Sequence, residues 1–356
     1  MSKVNPFTLS FGKEPKEYIR RSVEIDEIIT DFKNEHSVSN IYVISGVRGS
    51  GKTVLLSSLY KYFDSNKDFV AVDLNTRDTM LENLAAAIYD KAPIKHKFVK
   101  GEFSFSFYGI SISLKGDNHI SSVSQLLEKM LTLLKKYNKK LVITIDDVDS
   151  SEQMKLFAKE FQSLARKELP IYLVATGLYS AIDLLERQEG LTFLQRGQKR
   201  YLSPLNIKYI ASSYKEIFSI DDKRSKELAN LTKGYAFAYQ TLGYLMFENG
   251  STSIDEKLLR DYDYYLEEYV YKRVFHDLPD KEKEILKAIA IDKLTTNKEL
   301  IDKGIITNQE IYRYKEKLSK RGICDISNRG EIKIVLPRFE EYIIFLYSWL
   351  LIYKNL

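Results

Sequence analysis

Residues 41–56 read Ile41-Tyr42-Val43-Ile44-Ser45-Gly46-Val47-Arg48-Gly49-Ser50-Gly51-Lys52-Thr53-Val54-Leu55-Leu56: an apolar strand-like run, a glycine-rich turn and a helical start. The order has a physical reason. Glycines let consecutive backbone N–H groups curl around a phosphate, Lys52 reaches the outer phosphates, and the Thr53 hydroxyl is placed to join a magnesium shell. The following helix turns its positive end toward the same anion. The stretch is a phosphate-binding P-loop. Its expected ligand is the phosphate group of a nucleotide, with Mg2+, held by Gly46, Val47, Arg48, Gly49, Ser50, Gly51, Lys52, Thr53 and Val54.

Working outward, strand-like runs recur at residues 69–74, 141–145 and 171–175, each followed after a short loop by a helical pattern. Repeated β-then-α predicts an α/β fold, a parallel sheet with helices on both faces. The run Leu141-Val142-Ile143-Thr144-Ile145-Asp146-Asp147 delivers two carboxylates at the edge of the sheet where the P-loop also opens. That is the form of a Walker B strand. Asp146 is expected to hold the Mg2+ shell with Thr53, and Asp147 to orient or deprotonate the attacking water. An apolar strand ending in aspartate also serves as a plain turn start, and Asp149 is an alternative helix N-cap.

Between the second and third strands, alternating apolar residues flank Tyr108-Gly109, which predicts a β-hairpin insertion at about residues 101–115. Lys91, Lys95, Lys97 and Lys100 lead into it, so it reads either as a ligand-contacting arm or as a decoration with a solvated flank. Residues 207–271 are helical throughout, with stretches at 209–218, 226–231 and 235–247. After Leu278-Pro279 comes one helix at 281–290 and two expected capping boxes, Thr296–Glu299 and Thr307–Glu310, each opening a further helix. Gly322 ends the last of these, and two short strands follow at 323–327 and 332–336. Three helices and a β-hairpin describe a winged helix. The division is therefore a P-loop core at 1–206, a helical lid at 207–277 and a winged-helix domain at 278–356.

Composition narrows the field. The 356 residues carry 54 basic and 49 acidic side chains, a net charge of +5, which permits an acidic partner without marking a basic footprint. The single cysteine, Cys324, excludes an intramolecular disulfide, and the N-terminus lacks the pattern of a signal peptide. A cytoplasmic protein is expected. Four scattered histidines show no zinc spacing. The most apolar stretch, 342–353, is shorter than the roughly 20 residues of a membrane span, so it reads as a buried helix or a docking surface.

Together, the Walker pair, the strand ending Ala175-Thr176-Gly177, the lid and the winged helix resemble prokaryotic ATPases near the AAA+/STAND boundary, relatives of the origin-recognition ATPases. The resemblance spans about residues 15–342. It implies that Thr176 senses the γ-phosphate and that Tyr18 and Ile19, in Tyr18-Ile19-Arg20-Arg21, flank adenine, although both also suit simple packing. It further implies an arginine finger just before the last core strand. Arg196 is the candidate, with Arg187 and Arg200 as competitors, and a finger implies a homo-oligomer. The catalytic set is then Lys52, Asp147, Thr176 and Arg196. Two departures matter. Aspartate at position 147 is shorter than the glutamate of fast AAA+ enzymes, which implies slow turnover. The lid stretch Lys233-Gly234-Tyr235-Ala236-Phe237-Ala238-Tyr239-Gln240 lacks the sensor arginine of origin-recognition relatives and is closer to the Gly-x-Pro motif of STAND proteins.

In the expected helix 308–321, Ile311, Tyr314 and Leu318 fall on a buried face, and Gln309, Arg313, Lys317 and Lys320 on another. That second face would enter a DNA major groove, with Arg329 and Lys333 of the wing near phosphates. Glu316 borders the same face, and residues 278–341 hold 14 basic and 12 acidic side chains, a weak excess. The leading expectation is an ATP-driven switch that engages double-stranded DNA through Arg313, Lys317, Lys320 and Arg329. Its rivals are a STAND-like signalling or defence ATPase with a protein partner, and a nucleotide-binding adaptor with negligible turnover.

Overall fold

The computed structural model describes residues 4–10, 15–76, 79–91, 102–107, 110–114, 122–188 and 194–354. They form two compact units, Ser22–Ile44 with Lys52–Arg200, and Met1–Arg21 with Ser45–Gly51 and Tyr201–Leu356.

The first unit runs α1 (Ser22–Lys33), β1 (Ile41–Ser45), α2 (Lys52–Ser65), β2 (Phe69–Leu74), α3 (Met80–Lys91), β3 (Glu102–Phe107), β4 (Ile110–Leu114), α4 (Val123–Lys136), β5 (Lys140–Ile145), α5 (Glu152–Arg166), β6 (Ile171–Gly177), α6 (Tyr179–Arg187), a short 3-10 turn (Leu194–Arg196) and β7 (Gln198–Tyr201). The main sheet has the order β2-β5-β6-β1-β7. Strand β5 runs parallel to β2 and to β6, with Ile145 opposite both Leu74 and Ala175. Every residue of β1 and β6 is buried although side chains alternate between faces, so both faces are covered. Ile41, Val43, Leu141, Ile143 and Leu173 pack with Leu84 of α3, Leu126 and Met130 of α4 and Phe157 and Phe161 of α5. On the opposite face Tyr42 and Tyr172 meet Phe32 of α1, which packs against Phe63 of α2.

The predicted insertion is an antiparallel hairpin, β3 against β4, with Phe107 opposite Ile110. Its Tyr108-Gly109 turn lies outside the described residues, as do Lys95, Lys97 and Lys100. Helix α5 is capped by Ser151, whose hydroxyl accepts the Met154 N–H at 3.2 Å, so Asp149 is not the N-cap. Its carboxylate instead takes the Ser151 N–H and the Thr76 hydroxyl in the preceding loop.

The second unit is helical: α7 (Ile207–Phe218), α8 (Asp222–Leu231), α9 (Ala236–Asn249), α10 (Glu256–Leu266), a π turn (Glu267–Tyr271), α11 (Lys272–His276), α12 (Asp280–Ala290), α13 (Asn297–Asp302), α14 (Ile311–Lys320), β8 (Cys324–Asp325), β9 (Lys333–Ile334) and α15 (Phe339–Lys354). One core runs through it, from Phe7, Tyr214 and Tyr239 by way of Tyr262 and Tyr271 to Leu286, Leu318 and Phe339.

Three details depart from the sequence reading. The Thr296–Glu299 capping box forms, but Thr307 opens no helix. Its hydroxyl donates to the Glu310 carboxylate at 2.7 Å instead of accepting a backbone N–H, residues 308–310 form a turn, and α14 starts at Ile311. The paired strands are two residues each, because the Asp325 carboxylate takes the Ser327 N–H at 2.8 Å and turns the chain off the ladder. On α14 it is Lys315 that is buried beside Ile311 and Leu318, its ammonium on Asn297 Oδ1 at 2.8 Å, while Tyr314 is half-buried. Gly322 does end α14, at φ +76°. In the C-terminal helix Tyr342 and Ile343 are buried and Phe345 is 62% exposed, so the described part is one-sided rather than buried throughout. Among the described residues no helix is long and apolar enough to cross a membrane.

Candidate functional site

In the sheet unit the site is built by register. Ile145 and Ala175 are partners, so the next residues along the two parallel strands, Asp146 and Thr176, are neighbours on one face. That is the face covered by α2, which carries Lys52 and Thr53 in its first turn. The Thr53 hydroxyl donates to Asp146 Oδ2 at 2.7 Å, and the Thr176 hydroxyl donates to Asp146 Oδ1. Asp147 sits at φ +50°, with its N–H 3.2 Å from both Asp146 Oδ1 and Thr176 Oγ1 and its side chain exposed. A non-glycine residue in this left-handed region is uncommon, and these two bonds hold it there. Lys52 is 7% exposed, and Val54 is half-buried.

These groups fit magnesium. The ion prefers hard oxygen ligands, takes one or two carboxylates from the protein and completes its shell with phosphate oxygens and water. Thr53 and Asp146 supply an adjacent hydroxyl and carboxylate of that kind. Among the described residues no group of three or more His, Cys, Asp or Glu side chains is arranged for a metal.

The loop residues Ser45–Gly51 pack with the helical unit. Gly49 and Gly51 lie at φ +77° and +92°, conformations that favour glycine. Gly46 is small for a different reason, since a Cβ there would sit 2.6 Å from Ser50 Oγ. Among the described residues the buried Ser50 hydroxyl has no hydrogen-bond partner, which makes it a polar atom suited to a phosphate oxygen. Four successive carbonyls of the loop are taken. Val47 O accepts the Ser50 N–H at 3.1 Å, Arg48 O accepts the Tyr235 hydroxyl, Gly49 O accepts the Phe237 N–H at 3.0 Å, and Ser50 O accepts the Arg21 guanidinium at 3.0 Å. Tyr18 and Ile19, both half-buried, precede Arg21, and Ile19 packs against the core that includes Val47. At the end of α14, a Cβ on Gly322 would lie 3.5 Å from Val47 N.

The three arginines separate clearly. Arg196 is exposed in the 3-10 turn and has no bond among the described residues. Arg187 pairs with Asp183 at 2.9 Å, and Arg200 is forked onto the Glu27 carboxylate and lies over the Tyr42 ring.

On α14 the expected DNA-facing cations have local acidic partners. Arg313 faces Glu310 at 3.6 Å, Lys320 faces Glu316 at 2.5 Å, and Lys333 of β9 faces Glu331 at 2.6 Å. Lys317 lies 5.9 Å from the Tyr314 ring, and Arg329 is exposed between the short strands. Arg321 turns inward to Glu282, which is 1% exposed, at 2.8 Å, and burial pushes the Glu282 carboxyl above its ordinary range.

Sequence reasoning gave Tyr235, Arg21 and the Phe237 amide no role in holding the phosphate loop. The visible signals were that Tyr235 and Phe237 fall inside the lid motif and that Arg21 closes the Tyr18-Ile19-Arg20-Arg21 segment.

The sequence profile of the family described as Nephrocystin 3, N-terminal matches residues 24–177, which hold four of the five strands of the main sheet together with Asp146 and Asp147. No protein with a curated description matches the sequence. Among solved structures, a Walker-type ATPase of Pyrococcus abyssi aligns at 15% identity and TM-score 0.60, over 92% of this chain and 96% of that one. The ORC2 protein of Aeropyrum pernix, solved as ADPNP–ADP complexes, aligns at 13% identity and TM-score 0.57, over 98% of each chain. A STAND protein with a tetratricopeptide repeat sensor, from Pyrococcus horikoshii, aligns at 15% identity and TM-score 0.40, over 94% of this chain and 44% of that one. The chain thus has the fold of the Walker-type and origin-recognition ATPases, a parallel sheet followed by a helical region.

Proposed function

We propose that this protein is a cytoplasmic ATP-dependent switch that binds ATP with Mg2+ and hydrolyses it slowly. The observation that carries the reading is the Asp146 carboxylate bonded to the hydroxyls of Thr53 and Thr176, one from the P-loop helix and one from the neighbouring strand. In this reading Mg2+ supplies charge neutralisation at the phosphates, held by Thr53 and Asp146. Lys52 binds the outer phosphates, the Gly46–Gly51 amides cradle them, and Thr176 reads the γ-phosphate. Asp147 orients or deprotonates water from an exposed carboxylate set by its own N–H bonds. Tyr18 and Ile19 flank the base. Arg196, exposed before β7, serves a neighbouring copy as its finger. The ADPNP–ADP complexes of the ORC2 structure support the ligand class.

The output side follows from the helical unit, in which the Gly322 end of α14 abuts Val47 of the loop, so that loop and C-terminal helices share one packed body. Read as a winged helix, α12–α14 with β8–β9 engages duplex DNA through Arg313, Lys317, Lys320 and Arg329. A second reading, a STAND-like ATPase whose partner is a protein, is favoured by the acidic partner beside two of those four cations, Arg313 and Lys320. Titration of a fluorescent ATP analogue with and without Mg2+ tests the nucleotide half, and no saturable binding would sink it. Filter binding of duplex DNA across salt concentrations, with and without ATP, separates the two outputs. A flat salt response favours the protein partner.

A further inference from the structure

We infer that Tyr235 is a positioning residue of the phosphate loop, the centre of a three-point clasp that aims the loop's amides from behind. The clasp is the set of bonds from the Tyr235 hydroxyl to Arg48 O, from the Phe237 N–H to Gly49 O, and from the Arg21 guanidinium to Ser50 O. A peptide group is planar and trans, so the carbonyl of one residue and the N–H of the next point in opposite directions. Fixing the carbonyls of Arg48, Gly49 and Ser50 therefore fixes where the N–H groups of Gly49, Ser50 and Gly51 point, that of Ser50 being turned back to Val47 O within the loop. This matters most in a segment rich in glycine, which otherwise has the widest conformational choice of any residue.

The chemistry of the donors suits a permanent tether. Burial pushes the Tyr235 phenol far above its ordinary range, so it remains a protonated donor at every working pH. The Phe237 amide belongs to the first turn of α9, where helix amides have no partner within the helix, and the Gly49 carbonyl satisfies it. The Tyr235 ring also fills the space beside Gly49, where a Cβ would come within 2.4 Å of its oxygen. The stretch read as a lid motif thus reaches the loop's backbone, and nucleotide affinity depends on where α9 stands. This deepens the ATP-binding reading and rests on it.

The test uses the full chain with two variants, Tyr235→Phe, which keeps the ring, and Arg21→Met at a half-buried position. Hydrogen exchange of the peptide covering residues 45–53 is measured without nucleotide, and a fluorescent ATP analogue with Mg2+ is titrated alongside Lys52→Ala. Losing one such bond should speed exchange of the loop amides and weaken the analogue about five- to tenfold for Tyr235→Phe and less for Arg21→Met. Exchange in helices α7–α12 should stay as in the parent. Unchanged loop exchange, or acceleration spread evenly over those helices, overturns the clasp. Should the parent bind no nucleotide, the ATP reading falls while loop exchange still decides the clasp. Should Tyr235→Phe fail to fold, Arg21→Met decides it by the same readout.

Discussion

The carboxyl edge of the sheet and the outer face of α14 treat charge in opposite ways. At the sheet edge Asp146 is met by two hydroxyls and an amide, and the Asp147 side chain stands exposed. Hydroxyl and amide donors orient a carboxylate without cancelling its charge, which leaves it able to attract a divalent cation. On α14, Arg313 and Lys320 each sit one turn from a glutamate that answers them, and Arg321 is drawn inside to Glu282. Exposed pairs of this kind contribute little to stability, but they lower the field that a phosphate backbone would feel. The first region leaves its charge uncancelled by cations, whereas the second has spent much of its charge on the protein itself.

The contrast can be broken at its strongest point by Arg321→Met, which strands Glu282 inside the helical unit. Loss of one partner of such a buried pair should cost about 3 kcal/mol in urea unfolding, and an unchanged midpoint would show that the pair is idle. Next in size, Lys52→Ala should weaken a fluorescent ATP analogue about 100-fold through the lost charge-assisted bonds, while the unfolding midpoint without nucleotide stays close to the parent's. Asp147→Ala should retain the analogue and lower phosphate release at least about tenfold, the scale of a general base or water-orienting group; equal release would favour an adaptor with negligible turnover. Lys315 supplies a smaller, pH-dependent test. Burial holds its ammonium below the usual lysine range, so the folded protein releases this proton before the unfolded chain does. Its contribution to stability therefore rises as pH climbs from the depressed value toward the ordinary one. Lys315→Met should flatten that rise in urea melts as the pH approaches the ordinary lysine range from below. Smallest of all, DNA affinity should fall with salt at a slope of only about one or two phosphates, and a steep slope would mean that the α14 pairs open on binding.

Much of the sheet unit was legible because its signals are local. The strands at 41–45 and 69–74 were read to the residue, since a buried parallel strand is a short apolar run bounded by turn residues. Glycines and hydroxyls of the loop raise the expectation of a phosphate site for the same reason. What escaped depends on partners distant in sequence. Tyr235 meets Arg48 across 187 positions, and no spacing rule connects them. Lys315 looked like one more surface cation, and only the fold brings Asn297 to its ammonium. Thr307 carries the letters of a capping box, but its hydroxyl serves the Glu310 side chain. The short strands at 324–325 and 333–334 fail to lengthen because the Ser327 N–H turns to the Asp325 carboxylate while the Ile332 N–H goes to Thr295 O.

The pairing of β5 with β6 also acts as a gauge. Strand side chains alternate with a period of two, so sliding β6 by one residue would carry Thr176 to the far side of the sheet and bring Ala175 or Gly177 alongside Asp146. Neither has a hydroxyl. The distance between the two oxygen-bearing groups is thus measured out by backbone hydrogen bonds of two strands, β6 buried throughout and β5 from Leu141 onward, and an insertion or deletion anywhere within Ile171–Ala175 would miscount it. Tolerance to such length changes should vanish in this segment well before it vanishes in the hairpin β3–β4, where no comparable alignment is being kept.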